Sequence, residues 1–219
     1  MSRIIQMSLM LAIGWMAGGC AAGGALLYKF SPAPTIPAEY KPAKQPTLVF
    51  VENFQNPDLV QVRADQLGRE ISLELADHKV VPIVAPEKLY DLRNAKGDSF
   101  HSMNVPVVAQ ALDAGQVIYV DLSQFSVDPQ PGSEMIKGKA DAMVKLIDAQ
   151  SGRTLWPRDT SGGRQIKVET PYVRPGGGVS PEALQEEMLH TLSDKIAKLF
   201  YDWQSDQVDG SEPTEEPVR

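Results

Sequence analysis

Leu146-Ile147-Asp148-Ala149-Gln150-Ser151-Gly152-Arg153-Thr154-Leu155-Trp156 reads as a strand, a tight turn and a second strand. Asp148 to Gly152 is a turn by composition, with Gly152 suited to positive φ. Upstream, Met135 to Asp148 puts Ala140, Ala142, Val144 and Leu146 on one face and Met143 and Ile147 on the other. That period of two is a strand with both sides partly covered. Gln116 to Val127 reads as the strand before it, joined through the turn residues Asp128-Pro129-Gln130-Pro131-Gly132. A third strand starts at Arg153 to Trp156 and resumes at Gln165 to Val168 after the break at Ser161-Gly162-Gly163. Three sequential strands with short turns make an antiparallel meander.

Towards the N-terminus the periodicity changes. Leu48-Val49-Phe50-Val51 is a short apolar run, as a buried strand is. Asn56-Pro57 opens a helix, with Asn56 as cap and Pro57 at the first helical position. Val60, Ala64, Leu67, Ile71 and Leu75 then recur at helical spacing, predicting an amphipathic helix from Asp58 to Ala76. Val80 to Val84 reads as a second strand, which Pro82 confines to an edge or a bulge. Pro86 to Arg93 is a short helix, Asn94 to Ser102 an exposed loop, and Asn104 the start of another short helix closed by Gly115.

Downstream, Ser180-Pro181 repeats the cap-and-proline start. Leu184, Met188, Leu192, Ile196, Leu199 and Trp203 then form an apolar stripe, predicting a long closing helix of about six turns. The expected fold is therefore a single α/β domain of the α+β type over residues 47–204. It has a mixed sheet, a C-terminal three-strand meander, helices packed on the sheet and a long last helix. Residues 205–219 are acidic and prolyl and read as a disordered tail.

The chain has 219 residues, 42% of them hydrophobic, and a net charge of −7. That size supports one sizeable core. The charge, with no Lys/Arg cluster, argues against a nucleic-acid partner, since phosphate contacts need a basic surface. Cys20 is the only cysteine, so the folded part holds no disulfide. Arg3 precedes an apolar stretch from Ile4 to Met16, followed by Ala17-Gly18-Gly19-Cys20. A positive start, an apolar core and small residues before a cut site are the parts of a secretory signal. The cysteine after small residues resembles the lipobox of bacterial lipoproteins, although Ala17 stands where leucine is usual. The resemblance implies a signal peptide over 1–19 and cleavage before Cys20. It also implies a diacylglycerol on the Cys20 thiol and an acylated (palmitate-type) new N-terminus. Residues 20–46, with Pro32, Pro34, Pro37, Pro42 and Pro46, read as an extended tether. A buried structural cysteine and a retained membrane helix are the competing readings; Gly14, Gly18, Gly19, Gly23 and Gly24 lower the hydrophobicity a span needs.

The element order resembles a periplasmic α/β domain of envelope lipoproteins. That group includes the curli-secretion lipoprotein, the lipoprotein activators of penicillin-binding proteins and the N-terminal domain of the Tol-system propeller protein. The residues that carry it are Leu48 to Phe54, Val80 to Leu89, Ala109 to Gly115 running into Val117 to Val120, and Leu146 to Trp156. The resemblance implies a non-enzymatic anchored module, in the periplasm, that binds or assembles another envelope protein. A structural link between membrane and cell wall and an enzyme acting on envelope glycans are the alternatives. The short turns here replace the long inserted strands from which the curli member builds a pore, so a pore is not expected. Ala21 after Cys20 lacks the aspartate of many inner-membrane lipoproteins, which favours the outer membrane.

Catalytic signatures are sparse. His78, His101 and His190 are far apart and form no His-x-x-x-His pair, so no metal or cofactor is expected. His78 ends the first helix, where a cation suits the helix dipole. His101 sits with Asp98, Ser99 and Ser102 in a stretch read as solvated loop. No Gly-x-Ser-x-Gly elbow is present, and Gly176-Gly177-Gly178 lacks the ending of a phosphate loop. Trp156 and Trp203 read as core aromatics. No residue is assigned a catalytic role.

Overall fold

The computed structural model describes residues 34–52, 57–159, 162–176 and 179–205. Cys20, the leader, the tether before residue 34, Asn56, Ser161, Gly177, Gly178 and the tail after Ser205 lie outside them. The chain divides into two compact units, 37–203 and the remainder. Within the second, Ser205 donates its N–H to the Pro34 carbonyl at 3.3 Å.

The unit 37–203 is a mixed α/β structure. It runs β1 (Thr47–Glu52), α1 (Pro57–Asp77), α2 (Pro86–Lys96), a 3₁₀ turn (Gly97–Ser102) and α3 (Val105–Ala111). Then come β2 (Gln116–Pro129), β3 (Ile136–Asp148), β4 (Thr154–Trp156), β5 (Arg164–Glu169) and α4 (Pro181–Ala197). β1 pairs parallel with β2, from Thr47 with Gln116 to Glu52 with Asp121. β2 and β3 form a long antiparallel hairpin with a bulge between Leu122 and Gln124. β4 and β5 both pair with β3, so the predicted meander is present. Its last turn places Gly152 at φ 70°, a conformation side chains disfavour.

One sheet face packs on α1 and α4. Val49, Val51, Ile118, Val120, Ala142, Val144 and Leu146 meet Leu67, Ile71, Leu75, Met188, Leu192 and Ile196. The opposite face of β1 and β2 carries Leu48, Phe50, Val117 and Tyr119 against Leu89, Phe100, Val108 and Leu112. Ala64, Leu67, Ile71 and Leu75 of the first stripe and Leu184, Met188, Leu192 and Ile196 of the second are buried as read from sequence, and the Val60 side chain lies outside the described residues. Polar groups tie α1 to α4 along their length. Arg63 donates to Glu186 at 2.6 Å, and Ser193 donates to Glu70 at 3.1 Å. Both predicted caps on described residues form: Asn104 accepts from Val107 N–H and Ser180 from Ala183 N–H, each at 3.1 Å.

Several expectations need correction. Val80 to Val84 is no strand; only Ile83 bridges, in parallel, to Thr47. Pro82 lacks the N–H a ladder needs, and the apolar run is spent on burying Val80, Val81 and Val84. Asn94 to Ser102 is not an open loop, because α2 continues to Lys96 and the 3₁₀ turn follows. Burial of Phe100, 6.1 Å edge-on to Phe50, organises that segment. Gly115 does not close α3. Asp113 takes the left-handed position at φ 55°, and Ala114 N–H returns to the Ala109 carbonyl, a Schellman ending. Gly115 instead leaves room for Gln45, whose Oε1 would lie 2.8 Å from a Cβ there. The closing helix stops at Ala197. Leu199, Phe200 and Tyr201 are all buried, which one helix face cannot arrange, and Trp203 lies beyond the helix, half-buried.

Residues 37–46 hold no helix or strand, as their prolines dictate. They nevertheless lie on the unit. Tyr40 N–H donates to the Leu199 carbonyl at 3.1 Å, and Lys44 Nζ donates to the carbonyls of Lys79 and Val80. The fully buried Gln116 donates to the Ala43 carbonyl at 2.8 Å and to Thr47 Oγ1 at 2.9 Å.

Candidate functional site

The densest group of perturbed polar side chains lies at the C-terminal ends of the parallel pair. Leu48, Phe50 and Glu52 alternate onto one face of β1, and Val117, Tyr119 and Asp121 onto the same face of β2. The apolar members fill the core beneath α2 and α3. Glu52 and Tyr119 stand at its margin, and the Tyr119 hydroxyl donates to Glu52 Oε2 at 3.0 Å. Phe50 meets the Tyr119 ring edge-on at 6.1 Å. From α2, Arg93 donates to Asp65 Oδ1 at 2.6 Å and lies 5.1 Å over the Phe100 ring.

Burial is the main cause of the site's electrostatics. It holds the Glu52 carboxyl above the usual carboxylate range, and the neighbouring Asp121 charge adds to that. The Tyr119 hydrogen bond and the charges of Arg93 and His101 pull the other way. Tyr119 is pushed well above an ordinary phenol, by burial first and then by the Glu52 charge. Asp121 is raised by burial, with Lys145 opposing. The arrangement can take up and release a proton at Glu52. Tyr119 is a proton donor throughout the physiological range and cannot act as a base there.

The sequence-derived candidates do not converge on one pocket. His101 reaches this group only through its charge and is exposed at the 3₁₀ turn. Ser99 and Ser102 donate to the backbone carbonyls of Lys96 and Ser99 at 2.6 and 2.7 Å, so both hydroxyls serve the turn. His78 stacks on Tyr201 at 3.9 Å and meets the Glu74 carbonyl at 2.9 Å. His190 is exposed on α4, 3.9 Å from Glu70. Trp156 is buried against Phe200, 5.7 Å between ring centroids. Trp203 carries Lys198 Nζ 4.5 Å over its ring. Among the described residues, no three His, Cys, Asp or Glu side chains could hold a metal ion. No helix among them is long and apolar enough to cross a membrane.

No protein-family model matches the chain. No curated protein matches it either. Solved structures give fuller overlaps. The lipoprotein GNA1162 from Neisseria meningitidis is 16% identical, with a TM-score of 0.45 over 71% of this chain and 99% of that one. A PelC dodecamer from Paraburkholderia phytofirmans is 11% identical, with a TM-score of 0.43 over 77% and 98%. The protein CT253 from Chlamydia trachomatis is 13% identical, with a TM-score of 0.38 over 71% and 96%. Scores below 0.5 transfer neither function nor fold from those proteins to this chain.

Sequence reading missed Glu52 and Tyr119. The available signal was an acid ending the apolar run Leu48–Val51 and a phenol inside the apolar run Val117–Val120. Only the parallel register brings the two together.

Proposed function

We propose that this is a lipid-anchored protein of the bacterial envelope, whose α/β unit faces the periplasm and binds or helps to assemble another envelope protein. Cys20 carries the reading: it is the sole cysteine and follows Gly18-Gly19 at the end of an apolar leader. An acyl anchor concentrates the unit at a bilayer and raises its apparent affinity for membrane-associated partners. A binding role is supported by polar groups that serve as ties between elements, among them Arg63, Arg93 and Ser193. Absence of an aspartate after Cys20 favours the outer membrane.

Intact mass of the protein purified from membranes tests the anchor. The expected product has lost residues 1–19 and gained acyl mass on Cys20, and Cys20→Ala abolishes both changes. An intact leader with a bare thiol overturns it. Crosslinking in intact cells tests the module, the expected product being a discrete stoichiometric adduct with one envelope protein.

A further inference from the structure

A cavity of about 200 Å³ opens where residues 37–46 cross the end of α1. Lys41, Lys44, His78, Lys79, Tyr201 and Asp202 are in its lining. Three lysines and a histidine thus stand around one carboxylate, in a chain whose net charge is −7. That carboxylate is already engaged. Asp202 Oδ1 accepts from Ala38 N–H at 2.9 Å, and Oδ2 accepts from Lys41 Nζ at 2.7 Å. Among the described residues, Lys44 and Lys79 have no ion pair.

The end of α1 does not use these charges up. The carbonyls of Glu74, Leu75 and Ala76 already accept from the backbone N–H groups of His78, Val80 and Lys79. Lys44 Nζ spends two protons on the carbonyls of Lys79 and Val80, at 2.8 and 2.6 Å, and an ammonium has three. It is thereby held in place with one proton left to give. Of the acids on the last turns of α1, Glu74 accepts from the Tyr201 hydroxyl at 3.2 Å and lies 3.7 Å from His78 Nδ1, and Asp77 does not line the cavity. The His78 ring lies flat on Tyr201, 3.9 Å away, which steadies that wall. The cavity is left with a surplus of positive charge.

We infer that this cavity binds the phosphate of an anionic phospholipid headgroup. Lysine ammoniums are separate point charges with rotatable donors, and they hold a compact phosphate without the planar match that a carboxylate draws from arginine. The source of the phosphate follows from the chain itself. Lys41 and Lys44 lie on the segment that leads back to Cys20, 21 positions before Lys41. Twenty-one residues reach at most about 70 Å, so an anchored unit can rest this end on the bilayer. Basic residues at a lipid surface add to a covalent chain as a second attachment. The membrane source rests on the lipid-anchor reading; the phosphate chemistry of the cavity does not.

The test places the full chain, purified from membranes, in nanodiscs of phosphatidylglycerol and in nanodiscs of phosphatidylcholine, and reads amide hydrogen exchange by mass spectrometry. Segments holding Lys41 to Gln45 and His78 to Val80 are expected to exchange about fivefold more slowly in the anionic discs, the worth of one lysine near such a surface. Lys79→Glu removes that difference; should it disturb the fold, Lys79→Gln shows a smaller loss in the same direction. In a second arm, sn-glycerol 3-phosphate at millimolar concentration protects the same segments of the chain in detergent, and Lys79→Glu abolishes the protection. Equal exchange in the two discs, with protection by glycerol 3-phosphate, overturns the membrane source and gives the cavity to a soluble phosphate ester. No protection in either arm overturns the inference, as does protection that survives Lys79→Glu. A bare Cys20 thiol is seen in the intact mass, and the glycerol 3-phosphate arm then still decides the cavity.

Discussion

Gly138 lies beneath Met188, so that a Cβ on Gly138 would overlap the Met188 sulfur. α4 thus crosses β3 where the strand has no side chain on that face. Overpacking a core contact of this kind costs about 1–3 kcal/mol. Gly138→Val is expected at the upper end, because its branched side chain meets a fully buried neighbour. Gly138→Ala belongs at the lower end, since a thioether bends aside. Urea unfolding midpoints of the two variants check the order; equal midpoints would sink it.

Lys79 holds φ 52° just past α1. Val80 N–H returns to the Leu75 carbonyl and Lys79 N–H to the Ala76 carbonyl, each at 2.9 Å. That is a Schellman ending with lysine where glycine is favoured. Left-handed backbone costs an L-residue roughly 1–2 kcal/mol, part of which glycine gives back in unfolded-state entropy. Lys79→Gly is expected to raise stability by up to about 1 kcal/mol, readable as a higher melting temperature. A lower one would contradict the argument.

Glu52 provides a pH signature with a defined sign. Its carboxyl is raised by burial, so the folded state binds this proton more tightly than the unfolded chain does. Such a group stabilises the fold at low pH, and the contribution falls as pH rises through the raised value. Asp121 acts in the same direction. Glu52→Gln still accepts from Tyr119 but does not titrate. The stability of this variant relative to the native chain should therefore increase from the ordinary carboxylate range towards neutrality. Paired urea titrations across that range are the measurement, and a flat difference excludes Glu52 as the source.

Leu192 is fully buried between α4, α1 and the sheet, while Leu73 on α1 is 57% exposed. Leu192→Ala should cost about 2–5 kcal/mol, and Leu73→Ala at most about 0.5 kcal/mol. Similar thermal shifts for the two would contradict the helix faces described above.

Local rhythm made much of this fold legible. Alternation from Gln116 to Asp148 located the hairpin. Helical spacing from Ala64 to Leu75 and from Leu184 to Ile196 located the two long helices. Local rhythm failed where a distant contact decides the outcome. Phe100 orders a polar stretch because Phe50 is beside it in space, and Val80 to Val84 is apolar for burial without being a strand. The Glu52–Tyr119 pair joins residues 67 positions apart, and neither residue signals the other.

β1 finds its ladder partner only at Gln116, 69 positions beyond Thr47. The β2–β3 hairpin closes through a short turn and can form quickly, whereas a parallel strand must wait for its crossover. During synthesis the apolar run Leu48–Val51 therefore leaves the ribosome long before the strand that shelters it. Chains arrested ahead of Gln116 carry a sticky segment with nowhere to go, and a holding chaperone would have its work concentrated in that interval.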